Sequence, residues 1–250
     1  MKVLLLGASG LLGHNLLKTL LQRNISVVAL LRQGSPLEIA DANLTLIRCK
    51  TFDEESLAAA AIGCDAIINS AGITDMSLRY EEYLPINSRL PELLVGVMLR
   101  CNVGTLVHVS TSNTVGFGSP HLQADESAPM QPPFSNSYYA MSKRIGEDYL
   151  LSAAREYPHL RIVVTNPGFM IGPYDIKPSS GAMLLAGYRR RFMMAPKGGK
   201  SFVHVAAVAT AVVNAMETGC SGEKYLLTAS NMTIKDLYEM QARICSYRQT

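Results

Sequence analysis

The chain has 250 residues, 48% hydrophobic and 17% charged, with a formal net charge of +3. That length and apolar content suit one large α/β domain and exclude a disordered chain. The charge is too small for a nucleic-acid partner, and no apolar run is long enough to span a membrane.

The five cysteines, Cys49, Cys64, Cys101, Cys220 and Cys245, include no Cys-x-x-Cys pair. This argues against disulfides and a zinc site and for a reducing cytoplasm. No His or carboxylate cluster has metal-ligand spacing, so no metal is expected. The N-terminal "MKVLLLG" is too short for a signal-peptide core.

In chain order, "KVLLLGA" is a uniformly apolar strand, the pattern of a strand buried on both faces. "LLGHNLLKTLLQRN" has apolar residues at helical spacing, and "SVVALLR" and "NLTLIRC" are strands. "DEESLAAAAIG" opens with acids and runs into alanines, a helix start and its helix. "CDAIINSAG" is a fourth strand. "LPINSRLPELLVGVMLRCN" is a helix beginning near Asn87, and "TLVHVSTS" is a fifth strand. A loop rich in Gly, Pro and Ser, "GFGSPHLQADESAPMQPPFSNS", leads to a helix containing Tyr139. "RIVVTNPGFMIGP" is a sixth strand with an irregular exit. Strands separated by helices imply right-handed crossovers, so the fold class is α/β: a Rossmann-type doubly wound parallel sheet. Residues 1–173 would form the dinucleotide-binding domain with the helix of Tyr139. Residues 174–250 would form a smaller substrate-binding region, interleaved with the first and laid over the C-terminal edge of the sheet.

Two features carry chemistry. "GASGLLG" places Gly7, Gly10 and Gly13 three apart, directly after the first strand and at the opening of the first helix. Phosphates bind at helix N-termini, where unpaired N–H groups point outward. Gly7 allows the turn, Gly10 lets the backbone approach a pyrophosphate, and Gly13 lets helix and strand pack closely. In "SYYAMSKRIGEDYL", Tyr139 and Lys143 lie four apart and share one helix face, whereas Tyr138 and Lys143 do not. By itself the pair is either a solvated-face coincidence or an acid–base couple. Arg189-Arg190-Arg191 reads as a solvated helix end or as a site for an anionic substrate group.

The glycine loop, the hydroxyl-rich strand end "HVSTSNTVG" and "YYAMSK" occur in an order that resembles the extended short-chain dehydrogenase/reductase family, also called the NAD-dependent epimerase/dehydratase family. "GCDAIINSAG", "PINSRLPELL", "NPGFMIGP" and the segment from "GGKSFVHV" to "TIKDL" extend the resemblance over nearly the whole chain, nearest in pattern to dihydroflavonol-reductase-like members. Three positions depart from the pattern. Cys49-Lys50-Thr51 stands where Gly-Asp-Leu is usual, Asn166 replaces an arginine, and His204-Val205-Ala206-Ala207-Val208 lacks two acids. Family members also usually continue beyond this length.

The resemblance implies Ser112, Tyr139 and Lys143 as catalytic residues. Thr111 is the competing hydroxyl and Tyr138 the competing phenol. It places Ser9 and Leu11 with the glycines around a dinucleotide, Ser70, Ala71, Gly72 and Ser110 beside it, and the Asn166-Pro167-Gly168 turn against the nicotinamide. Asn87 would serve a proton relay or cap its helix. A free tyrosine titrates near ~10; an ammonium one turn away favours the phenolate and lowers that value. A hydroxyl at the strand end holds a substrate oxygen, and Tyr139 protonates it as the carbonyl carbon accepts hydride.

The expected activity is NADP(H)-dependent reduction of a ketone or aldehyde to an alcohol, or the reverse. The substrate would be a small carbonyl or alcohol molecule, with neither nucleic acid nor membrane as partner. NADP is expected over NAD because Leu31 stands where an acid would take the ribose 2′-hydroxyl and Arg32 follows it. A nucleotide-sugar epimerase or dehydratase that holds NAD tightly is the alternative, followed by a dinucleotide-sensing regulator without turnover. The resemblance also implies a homodimer through the helices containing Asn87–Arg100 and Tyr139–Leu151.

Overall fold

The first strand, β1 (Lys2–Leu6), is buried from Val3 onward, because helices cover both of its faces. The computed structural model describes residues 1–119, 122–176, 178–190, 192–193 and 195–248, so Arg191 of the arginine run lies outside the described residues. Helix α1 (Leu11–Gln22) leads to β2 (Ser26–Arg32) and β3 (Leu44–Cys49); α2 (Glu54–Ala61) leads to β4 (Ala66–Asn69). A continuous helical stretch follows: α3 (Tyr80–Tyr83), a π-helical turn (Leu84–Arg89) and α4 (Leu90–Cys101). Then come β5 (Thr105–Val109), a 3-10 turn (Ser112–Thr114), α5 (Tyr138–Glu156), β6 (Arg161–Pro167) and β7 (Phe169–Ile171). The chain closes with α6 (Gly181–Gly187), β8 (Gly199–His204), α7 (Val205–Thr218), β9 (Lys224–Leu227), β10 (Ser230–Thr233) and α8 (Ile234–Ile244).

Seven strands pair in the order β3-β2-β1-β4-β5-β6-β9, each parallel to its neighbours. The order in which strands are added reverses between β1 and β4, and the cleft outside that switch point is where a doubly wound sheet binds ligands. The period-2 rule divides β1 between two cores. Leu4 and Leu6 face α2, α4 and α5 with Leu57, Leu94 and Leu150. Val3 and Leu5 face α1 and α7 with Leu16, Leu17, Val208 and Val212.

Two features of the second half differ from the sequence reading. The region after residue 174 does not lie only over the sheet edge: α7 packs on α1 across a full face, and β9 extends the main sheet beside β6. The irregular exit after β6 is a strand of its own, β7, in a three-stranded sheet ordered β10-β8-β7. Gly168 makes that departure possible, since a Cβ there would lie 2.5 Å from the Ser201 carbonyl oxygen. A third core, Phe202, Ile234, Leu237 and Tyr238, joins this small sheet to α8.

Candidate active site

The loop from β1 into α1 is shaped by its glycines. Gly7 has φ +83°, and a Cβ on it would come within 2.6 Å of the Ser70–Ala71 backbone. A Cβ on Gly13 would come within 1.9 Å of the Gly7 carbonyl oxygen, so helix and loop touch through bare backbone. Gly10 caps α1 with no side-chain acceptor, and the first turn carries no acid. The first-turn N–H groups and the positive end of the helix dipole are therefore left for an external anion. A cleft of about 150 Å³ runs from this loop past Ser9 and Gly10 to Arg32 and Ser35, and along Ser70, Ala71 and Gly72. Leu11 packs its side chain into the core at the same helix start. Of the expected contacts, the structure thus gathers Gly7, Ser9, Gly10, Arg32, Ser70, Ala71 and Gly72 around one space.

Phe52 and Ile86 also line the cleft and were missed. Phe52 directly follows the departure at Cys49-Lys50-Thr51, and an aromatic at that strand exit was the available signal. Arg48 is engaged elsewhere: its guanidinium donates to the carbonyls of Ser35 (3.0 Å) and Leu37 (3.3 Å), fixing the loop that carries Ser35. Residues of this kind fit a dinucleotide, with backbone N–H groups and a glycine floor for phosphates and Arg32 and Ser35 at the adenosine end. The buried Ser110 hydroxyl, which has no hydrogen-bond partner in the structure, is a further polar group of the kind a ligand satisfies.

Behind Gly72 at one end of the cleft, α5 brings in Lys143, with Tyr139 one turn before it; both are buried, whereas Tyr138 is 54% exposed. Ser137 caps the helix through Ala140 N–H. Lys143 Nζ donates to the Val109 carbonyl (3.1 Å), and a Cβ on Gly72 would lie 2.9 Å from that Nζ. Burial draws the Lys143 ammonium down to about 8, with the carboxylate of Glu147 pulling the other way. Burial pushes the Tyr139 phenol above its ordinary value, and a side-chain hydrogen bond with Thr111 only partly offsets that. The expected depression by Lys143 is not realised; the lysine is bonded to Val109 instead. A phenol that stays protonated at neutral pH suits a proton donor.

Thr111 lies near enough to Tyr139 to draw its phenol down, and its Oγ1 accepts from Asn113 N–H (3.3 Å); Ser112, the next residue, opens the 3-10 turn. Asn87 neither caps a helix nor starts one. It lies in the π-helical turn with its side chain buried, accepts from Ile73 N–H (2.9 Å), and donates to the Ile73 carbonyl and Ser142 Oγ (3.0 Å each). It therefore fixes the loop after β4 to α5. Asn166 turns its amide away from the cleft, toward the Thr111 carbonyl (3.1 Å) and Glu147 Oε2 (2.8 Å). Pro167 and Gly168 end β6, with Gly168 N–H donating to the Leu227 carbonyl (2.9 Å).

Glu147 was also missed. Its carboxylate is fully buried one turn beyond Lys143, and the 139–143–147 spacing along one helix face was the signal for it. His108 is equally buried, with Nδ1 3.1 Å from Asn69 Nδ2. Burial, reinforced by the charge on Lys143, pushes its imidazole well below the usual range. Among the described residues no His, Cys, Asp or Glu cluster could hold a metal ion, and no helix is long and apolar enough to cross a membrane.

A parallel sheet with a glycine-floored cleft at its switch point, closed by a buried Tyr–Lys helix, defines a dinucleotide-binding enzyme of the Rossmann class. The chain belongs to the NAD dependent epimerase/dehydratase family, whose profile matches residues 3–227. It is similar to the 4-hydroxy-2-methyl-3-oxo-4-farnesyl-3,4-dihydroquinoline-1-oxide ketoreductase of Stigmatella aurantiaca, with 31% identity over 91% of this chain and 68% of that protein. Among solved structures, that of gox2253 superposes with a TM-score of 0.87 at 28% identity, covering 99% of this chain and 76% of its own. The Thermus thermophilus UDP-glucose 4-epimerase complex with NAD shares the fold (TM-score 0.84, 21% identity, 100% and 85% coverage). Such relatives are NAD(P)-dependent oxidoreductases and epimerases, and the chain is an enzyme of that group.

Proposed function

We propose that the protein is an NADP(H)-dependent oxidoreductase that reduces a ketone or aldehyde to an alcohol, or runs the reverse, on a small-molecule substrate. The observation that carries this reading is the buried Tyr139–Lys143 pair at the end of the glycine-floored cleft. The nicotinamide supplies or accepts the hydride when bound. Tyr139, protonated at neutral pH, donates to the developing alkoxide. The hydroxyls of Thr111 and Ser112 hold the substrate oxygen; the contact with Tyr139 favours Thr111, and the family pattern favours Ser112. Lys143, held by the Val109 carbonyl and close to Gly72, keeps a positive charge at the Gly72 end of the cleft below about pH 8.

Net reduction is favoured by similarity to a ketoreductase at 31% identity. The NADP preference rests on Arg32, exposed at the end of β2 and lining the cleft with Ser35. A guanidinium can pair with a 2′-phosphate through two hydrogen bonds. We assign the substrate lobe to residues 174–250. A reducing cytoplasm suits five unpaired cysteines, two of them exposed. The test is a panel of ketones and aldehydes assayed for NADPH oxidation. Turnover of at least one, abolished in Tyr139→Phe, supports the reading. Nicotinamide that co-purifies and shows no net consumption refutes it in favour of an epimerase.

A further inference from the structure

A fully buried carboxylate needs hydrogen-bond donors as well as a counter-charge, and Lys143, one turn back on the same helix, gives its own hydrogen bond to the Val109 carbonyl. Glu147 finds them on three other elements. Its Oε2 accepts from Thr114 Oγ1 (2.7 Å) in the turn after β5 and from Asn166 Nδ2 (2.8 Å) on β6. Its Oε1 faces Lys224 Nζ (3.6 Å) on β9 and has no hydrogen-bond donor of its own.

Asn166 Nδ2 also lies 3.1 Å from the Thr111 carbonyl and 3.0 Å from Thr114 Oγ1. The Thr114 hydroxyl has one proton for two acceptors, Glu147 Oε2 and the Thr111 carbonyl (2.8 Å). Carboxylate, amide and hydroxyl together tie the Thr111–Thr114 turn to α5 and β6, near Tyr139.

We propose that Glu147, with Lys224 as its counter-charge, is a positioning residue that holds the Thr111–Thr114 turn against Tyr139. This rests on the reading of Tyr139 and Lys143 as catalytic. Asn166 stands where the family resemblance leads one to expect an arginine, and the cation that answers the buried carboxylate comes instead from the edge strand. The charged or titratable groups facing this cluster are Glu147, Lys143, Tyr139 and Arg144 on α5, the last donating to the Thr114 carbonyl (3.1 Å), His108 on β5, Lys224 on β9, and Tyr83 of α3, whose ring packs on Tyr139. Because Glu147 favours the charged form of Lys143, its loss moves the lysine's titration to lower pH. A purely structural residue would not do that.

The experiment compares Glu147→Gln, Lys224→Met, Thr114→Val and Tyr139→Phe in the full chain, using the carbonyl substrate found in the panel. In Glu147→Gln and Lys224→Met, kcat should fall by about 10–10²-fold, the scale for a misplacement on the order of 1 Å, with KM and NADPH affinity within roughly threefold. The high-pH limb of the rate profile should move to lower pH in Glu147→Gln. NMR titration of ¹³C-labelled lysine should show the same shift for Lys143 with no substrate present. Thr114→Val removes the hydrogen bond and keeps the charge. It should lower kcat without moving the limb, and it carries the test if Glu147→Gln does not fold. Parental kcat in Lys224→Met, or parental kcat with an unmoved Lys143 in Glu147→Gln, alongside an inactive Tyr139→Phe, overturns the proposal. An active Tyr139→Phe overturns the catalytic reading instead, and the lysine titration then decides whether Glu147 acts on Lys143.

Discussion

Lys143→Met replaces a buried ammonium with a side chain of similar length and no charge. In the folded chain the lysine titrates at about 8 rather than 10.5, because burial disfavours its charged form. Its folded value is thus the lower one, so the unfolded chain binds more protons between the two values and stability rises with pH across that window. Below about pH 8 the full penalty is present; it fades toward pH 10.5. At about 1.4 kcal/mol per unit, the parent should gain on the order of 2–3 kcal/mol relative to Lys143→Met between pH 7 and 10. The hydrogen bond to the Val109 carbonyl, which the methionine cannot make, adds an offset that does not vary with pH. Taking the parent–variant difference cancels every other titrating group that behaves alike in both. Urea unfolding of both proteins at half-unit pH steps measures it. A difference that stays flat from pH 7 to 10 would refute the reasoning, since the lysine would then be no harder to charge in the fold than in the open chain.

Other substitutions divide the site by role. Tyr139→Phe should keep the fold and NADPH affinity and lower turnover by about 10²–10⁴-fold, while exposed Tyr138→Phe changes it far less; steady-state kinetics on the pair decides. Gly10→Val should abolish dinucleotide binding in calorimetry and leave the domain folded by circular dichroism, because a Cβ there meets only the Gly7 carbonyl oxygen, at 3.4 Å. NADPH should bind at least about tenfold more tightly than NADH at low salt, the worth of a charge-assisted hydrogen bond, and Arg32→Ala should remove most of that gap by weakening NADPH alone. Equal affinities in the parent would disprove the role of Arg32.

The elements that sequence pattern exposed well are those whose burial is one-sided or complete along their length. β1, β2, β4, β5 and β6 read as apolar runs because helices cover both faces, and α1 and α2 announce themselves by period and by Asp53, Glu54 and Glu55 at a start. β9 did not, since four half-buried residues at a sheet edge carry too short a pattern. The helix before β5 begins at Tyr80 rather than near Asn87, because its π-helical turn shifts the 3.6-residue period just where Pro85 suggests a start. The cleft was legible from its glycines, whose packing requirements are local. Glu147 was not, and Asn87 was legible as a residue but not in its partners: each is held by groups far along the chain, Lys224 and Asn166 for one and Ile73 and Ser142 for the other. Residue spacing likewise does not convey how the 3-10 turn presents Thr111 and Ser112.

The central claim is net hydride transfer to a carbonyl, with Tyr139 as proton donor. It is tested most directly with NADPH deuterated at the transferable position and a carbonyl substrate from the panel, following product by mass spectrometry. One deuterium should appear on the new carbinol carbon per NADPH oxidised, with no product from Tyr139→Phe. Deuterium retained in the cofactor, with substrate isomerised or dehydrated and no net oxidation, would contradict it.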